Sequence, residues 1–440
     1  MHNKYRLFSA TLIIVLVSFS AIAQKRTFSP YSRYGLGEMQ DGGFGRNAAM
    51  GRTGIALSNS TNLNNMNPAS YHGMDSLSFF FEGGLIGFQQ KLQTDEATSE
   101  MSDMNFAYFA VGFPVAKWGF MSVGVEPTSL VGYDFYDDNI QSDSNPNGYP
   151  SYDGKYSTFT TSGEGNTSKA YVGLALSPVK NLSVGAHFSY MFGNIRHSSL
   201  VQFPNDAVAS KLGTSMRIQI NDIFMDFGAQ YKLDLNEKHS LTFGGIYNPK
   251  TGIGGKVTRL VAEGNTLESE GKMVIAVDTL HYDENKLTGN AFEMPEKYGF
   301  GVAYNIKDAL TLTADYTLAK WSEAKFPDDN TTTADMEKWA FGAEFIPNER
   351  SARFYPARIR YRLGTYYKND YLILNDHQLK DFGISFGVGL PLKRSKTSLN
   401  VAFEWGQRGT TDYKLVKETY GKVTVNLTLH ENWFFKQKFD

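Results

Sequence analysis

The sequence has no cysteine, which excludes disulfide frameworks and thiolate metal sites. It has almost no net charge. Its 43 Lys+Arg stand against 45 Asp+Glu, for a formal −2, so nothing electrostatic favours a nucleic-acid partner. Past residue 23 no apolar run approaches the ~20 residues that a membrane helix needs. Mean hydropathy is −0.34, so any membrane-embedded part has to be a closed barrel. Its 8 histidines are scattered without an H-x-x-x-H pair, and there is no phosphate loop. The sequence therefore predicts no enzyme, no metal and no cofactor.

What the chain does have is glycine (42), tyrosine (25) and phenylalanine (32), a mixture that favours sheets with tight turns. At the start, Lys4 and Arg6 precede an apolar stretch from Leu12 to Phe19, and Ala21-Ile22-Ala23 has the small residues of a cleavage site. Residues 1–23 read as a secretory signal peptide cut after Ala23. Residues 24–76 are rich in Gly, Asn, Ser and Met without sustained periodicity. They predict a compact irregular segment with a short helix near Arg46 to Met50, since Phe28, Tyr31, Tyr34, Leu36, Phe44 and Met50 are too apolar for a solvated tail.

From residue 77 to 440 the period becomes two. Leu182, Val184, Ala186, Phe188, Tyr190 and Phe192 alternate with Ser183, Gly185, His187 and Ser189. Phe382, Ile384, Phe386, Val388 and Leu390 alternate with Gly383, Ser385, Gly387 and Gly389. One apolar face and one polar or tiny face, repeated along the chain, is the signature of a transmembrane barrel. Aromatics toward the strand ends (Tyr171, Tyr304, Trp321, Trp339, Trp405, Trp433) read as interface belts. The segmentation predicts an all-β, antiparallel barrel of fourteen strands in the outer membrane. Short turns would face the periplasm, and long loops such as 137–154 and 326–333 would face outside.

Residues 32 to 70 carry Ser32-Arg-Tyr-Gly-Leu-Gly37, Gly45-Arg-Asn-Ala-Ala-Met-Gly51, Gly54-Ile-Ala56 and Asn67-Pro68-Ala69. Later come Pro295-Glu-Lys-Tyr-Gly-Phe-Gly-Val-Ala-Tyr304, Leu310 to Thr317 and Trp321. In order and spacing these blocks resemble the FadL/TodX family of outer-membrane transporters, in the style of its Bacteroidota members. The resemblance implies a monomeric barrel with an N-terminal hatch (24–76) in its lumen, Asn67, Pro68 and Ala69 taking the hatch position. It also implies passive uptake of hydrophobic small molecules, which leave sideways into membrane lipid through a kink in the third strand. Here that strand contains Glu126-Pro127, and proline cannot donate to a ladder. The family resemblance also includes barrels that serve as accessory subunits of secretion or assembly machines and bind outer-membrane protein partners, which is the alternative function.

Two further patterns invite chemistry. A strand over 354–369 would carry Arg358, Arg360 and Arg362 on one parity, and three arginines facing lipid are too costly near the midplane. In the lumen, near Glu344 and Glu404, they could grip a carboxylate or phosphate headgroup, or brace barrel and hatch as an ion-paired network. Asp143-Ser-Asn-Pro-Asn-Gly148 begins like a Ca²⁺ loop, but its twelfth position is Gly154 rather than Glu, so it reads as a polar turn.

Overall fold

The period of two becomes a closed wall. In the computed structural model, which describes residues 27–75, 78–140, 157–202, 211–264, 266–269, 272–275, 278–287, 292–307, 309–326, 331–351, 353–392 and 396–432, fourteen antiparallel strands form one continuous sheet. The expected signal peptide, the Asp143 loop and Trp433 lie outside those residues. The strands are β1 (Ser78–Gln93), β2 (Thr98–Ala116), β3 (Gly119–Ile140), β4 (Ser157–Val179), β5 (Leu182–Gln202) and β6 (Lys211–Asp234). They continue with β7 (His239–Asn248 and Gly255–Gly264), β8 (Asp278–Leu287 and Lys297–Ile306), β9 (Leu310–Ala319) and β10 (Met336–Phe345). The last four are β11 (Arg360–Leu374), β12 (His377–Pro391), β13 (Ser398–Arg408) and β14 (Lys417–Asn432). Pairing of β1 with β14, from Ser78↔Asn432 to Gln93↔Lys417, closes the barrel.

Side chains sort as the pleat demands. On β5, Val184, Phe188, Tyr190 and Phe192 are exposed outward while Ser183, His187, Ser189 and Met191 are buried. Leu363 on β11, Phe386 on β12 and Trp405 on β13 continue the apolar belt. Two of the aromatics expected in it do not belong there. Tyr171 is 2% exposed and faces the lumen, and Trp321 is 4% exposed in a turn past β9, stacked on Tyr371. Parity alone cannot tell an aromatic that faces lipid from one that packs on an occupied interior.

That interior is filled by residues 27–75. They hold a single helical turn (Gly45–Ala48), a two-residue strand (Glu38–Met39) and a 3-10 turn (Pro68–Gly73). The 3-10 turn touches β4, β5 and β6, while the helical turn touches β13 and β14, so the segment spans the lumen from wall to wall. Phe44, Leu63, Tyr71 and Met74 pack with Phe80, Tyr108, Phe120 and Tyr171 of the wall. β7 and β8 are each interrupted. There Ile253 and Phe292 are fully buried beside Leu36 and Val131.

Candidate functional site

The arginine strand begins at Arg360, six residues later than expected. Arg358 sits in a 3-10 turn ahead of β11, its guanidinium over the Tyr355 ring at 5.2 Å, so it does not share the lumen with the other two. Pro356 breaks the ladder that parity would have extended. Arg360 binds Glu349 of the preceding connection at 2.9 Å. Arg362 is paired in register with Glu344 and donates to it at 2.6 Å. The same carboxylate receives Arg46 from the helical turn at 2.7 Å, and Arg362 also donates to Asn400 at 2.8 Å. Glu404 takes Arg52 at 2.9 Å. Glu344 and Glu404 thus hold cations of the N-terminal segment against the wall, and both are nearly inaccessible.

Asn67-Pro68-Ala69 is held as closely. The Asn67 side chain caps the 3-10 turn by accepting from the Ala69 amide at 3.0 Å. Its Nδ2 donates to the carbonyls of Ile55 at 2.8 Å and Ala229 at 3.2 Å. Pro68 supplies the fixed φ suited to the first position after the cap. Beside it, Asp315 of β9 accepts from two consecutive amides, Gly54 at 2.6 Å and Ile55 at 2.9 Å. Tyr71 and His187 of β5 are 2.7 Å apart.

The wall is shaved to let the segment's backbone lie on it. A Cβ on Gly364 would stand 2.0 Å from the Gly51 nitrogen, on Gly244 2.2 Å from the Ile55 oxygen, and on Gly228 2.1 Å from Asn67 Oδ1. The face that reads as tiny in sequence is thus a seat. A G-x-S-x-G elbow is not expected of this chain, yet Gly383-Ile384-Ser385-Phe386-Gly387 has that spacing and is part of that seat. It lies within continuous β12 rather than at a strand-to-helix turn, and Ser385 Oγ accepts from the Gly51 amide at 2.8 Å.

A second tier of bonds was not legible in the sequence. Glu38 meets Arg408 at 3.2 Å, and Arg408 also meets Asp381 at 3.3 Å. Burial opposes the charge of Glu38, but Arg408 and Lys422 outweigh it and hold the carboxyl at about 2. Asp41 is likewise buried yet held far below its usual value by Lys338 and Lys368. Ser29 donates to Glu418 at 2.5 Å, and Tyr31 donates to the Val416 carbonyl at 2.5 Å. Apart from Arg408–Asp381, each pair joins residues hundreds of positions apart, which no local pattern announces.

Between β2 and β3 the wall parts. Their ladder runs from Ala116↔Gly119 only as far as Phe109↔Val125. β2 stays paired with β1 up to Thr98, and β3 stays paired with β4 up to Ile140, with a register shift between Pro127 and Ser129. Glu126, just past the split, is buried against Lys169 at 2.9 Å and receives the Asn65 side-chain amide. Beyond Pro127 the inner edge of β3 pairs with the N-terminal segment instead, Glu38↔Leu130 and Met39↔Ser129. The Gln40 amide adds a bond to the Thr128 carbonyl at 2.9 Å. Behind this seam lies a chamber of about 270 Å³. Phe106, Pro127, Phe224 and Met294 line it together with Lys169, Asp226 and Lys297. Among the described residues no group of acidic or histidine side chains is arranged to hold a metal.

The fold has solved relatives. The toluene transporter TodX of Pseudomonas putida superposes with a TM-score of 0.57 at 15% identity, over 90% of this chain and 99% of that one. The toluene transporter TbuX of Ralstonia pickettii gives 0.57 at 14%, over 90% and 99%. A FadL homologue of Pseudomonas aeruginosa gives 0.57 at 12%, over 91% and 100%. At such identities the likeness is one of fold, the closed fourteen-strand outer-membrane barrel with an N-terminal segment. No curated protein is similar enough to match. A family model described as BamG matches residues 5–440.

Proposed function

The chain belongs to the BamG family, and from that premise we propose that it is a non-transporting barrel subunit of an outer-membrane protein-assembly machine, exported behind residues 1–23 and plugged by residues 24–76. The observation that carries this reading is the fixed seat of the plug. Arg46, Arg52 and the Gly54–Ile55 amides are bound by three buried carboxylates on three different strands, Glu344, Glu404 and Asp315. Breaking a buried pair of this kind costs about 3–5 kcal/mol. A plug with several such ties does not cycle in and out of its seat for each passing solute. The working part is then the barrel's outer surface and loops, presented to protein partners by a rigid body. Extraction of the native membrane in mild detergent tests it: other outer-membrane proteins should co-purify at fixed stoichiometry. Recovery of the barrel alone, under conditions that keep other membrane complexes intact, argues against it.

One observation favours the second reading, uptake of hydrophobic small molecules with lateral release. The β2–β3 ladder stops at Phe109↔Val125 beside the chamber, and removing apolar ligand surface from water at roughly 25 cal/mol per Å² would drive entry without energy coupling. Deletion of the protein would then lower entry of fatty acids or aromatic hydrocarbons into cells. Unchanged entry removes this reading and leaves the first standing. On either reading Arg360, Arg362, Glu344 and Glu404 act as bracing rather than as a headgroup anchor.

A further inference from the structure

The connections at the short-turn end of the barrel are brief, 117–118, 180–181, 235–238, 307–309 and 392–397, except for one. Residues 346–359, between β10 and β11, form a long connection on the face that such turns assign to the periplasm. Its backbone is tied down. The Asn348 amide donates to the Ala357 carbonyl at 2.7 Å, and the Phe354 amide to Ser351 Oγ at 3.2 Å. Tyr361, on the outward face of β11, donates to the Pro356 carbonyl at 3.2 Å, and Tyr355 donates to the Pro391 carbonyl at 3.2 Å. The connection therefore lies against the outer wall, at the lower edge of the apolar belt marked by Phe345, Tyr361 and Leu392.

Two features of this loop go together. Phe354 is 63% exposed and Tyr355 sits beside it, half uncovered, level with the belt's edge. The loop's one carboxylate, Glu349, is taken by Arg360, which leaves Arg353 on the surface and Arg358 over the Tyr355 ring. The Arg358 Nε is buried and has no hydrogen-bond partner among the described residues. Aromatic rings at the boundary of hydrocarbon, with guanidinium groups one step further out, match the layering of acyl chain and phosphate in a lipid. We propose that the 346–359 connection binds a phospholipid of the periplasmic leaflet, with Arg353 and Arg358 at its phosphate and Phe354 and Tyr355 along the upper acyl chain. An acidic protein would satisfy the arginines, but it would give no reason for the rings to lie level with the belt.

The test uses the purified full-length protein, stripped in a delipidating detergent and given back phosphatidylglycerol, with retained lipid counted by native mass spectrometry. Wild type should retain it, and R353A/R358A should need about thirtyfold more lipid for the same occupancy, at roughly 1 kcal/mol for each arginine near the surface. K238A/K307A, on short turns of the same end, should match wild type. Heat-dependent gel migration reports whether each variant is folded. If the double variant is not, R353A alone, at an exposed side chain, should still weaken retention. Equal retention by folded R353A/R358A or R353A and wild type overturns the proposal. So does displacement of the lipid by excess inorganic phosphate, which would mark a free-anion site. Loss of a co-purifying protein with lipid retention unchanged would mark a protein surface and overturn it as well.

Discussion

Arg46 and Glu344 meet at 2.7 Å inside the barrel, one from a helical turn near the start of the chain and the other from the tenth wall strand. Glu344 holds Arg362 at the same time. Replacing it by glutamine leaves two buried guanidinium groups facing a neutral amide. E344Q should therefore lose about 3–5 kcal/mol of stability, read as a lowered denaturation midpoint in detergent together with faster proteolysis near residues 46–55. A midpoint within about 1 kcal/mol of wild type, in the range of an exposed pair, would show that the contact does not anchor the segment.

Gly364→Ala should unseat the segment while Gly87→Ala should not. The first places a methyl 2.0 Å from a backbone nitrogen that cannot rotate away, and the second meets nothing within 4 Å. The expected cost of the first is about 1–3 kcal/mol, seen as hydrogen exchange rising in residues 48–56 and staying flat in the strands. Equal exchange in both variants would contradict the close seat.

Asn67 separates capping from tethering. Asn67→Asp keeps an acceptor for the Ala69 amide but removes the donor that binds the Ile55 and Ala229 carbonyls and sets a carboxylate against them. It should destabilise more than Asn67→Ser, which keeps the cap and creates no repulsion, with the difference about 1–3 kcal/mol. The reverse order in thermal melts would mean that the cap alone matters.

Acid should loosen the outer tier first. The Glu38 carboxyl lies at about 2 in the folded chain against an ordinary 4.5, because Arg408 and Lys422 overcome the effect of burial. A depressed carboxyl contributes stability that is complete above its unfolded value and is lost as pH falls through the folded one. Cleavage within residues 27–41 should be flat above about pH 4.5 and rise toward pH 2. In Glu38→Gln that rise should flatten, with cleavage already raised at neutral pH. An identical pH profile in the variant would place the acid sensitivity elsewhere.

Much of the wall was legible because alternation is a local property. The tiny residues on β12 and the apolar ones between them announce both faces without reference to any neighbour. Pro127 is visible as a missing N–H in a single letter; β3 runs on through it, paired with β4, while the β2–β3 ladder stops at Val125. Arg358 was misplaced because parity was carried back through Pro356, where the strand had not begun. Tyr171 was misplaced because a lumen filled by protein accepts aromatics as readily as lipid does. The bracing pairs Glu38–Arg408, Asp41–Lys338 and Arg52–Glu404 are complementary charges far apart in the chain, and only the closed ring makes them neighbours.

The pairing of Ser78 with Asn432 joins the earliest and latest wall strands. The material inside the ring precedes all of the ring in translation order, and its tightest partners, on β9 to β13, are among the last strands to emerge. The cylinder cannot be completed around empty space and furnished afterwards, since the seam between its two ends shuts directly beside residues 44–63. Maturation must gather the wall around its contents, so a fault in the first seventy residues would reach the cell as a barrel that fails to close.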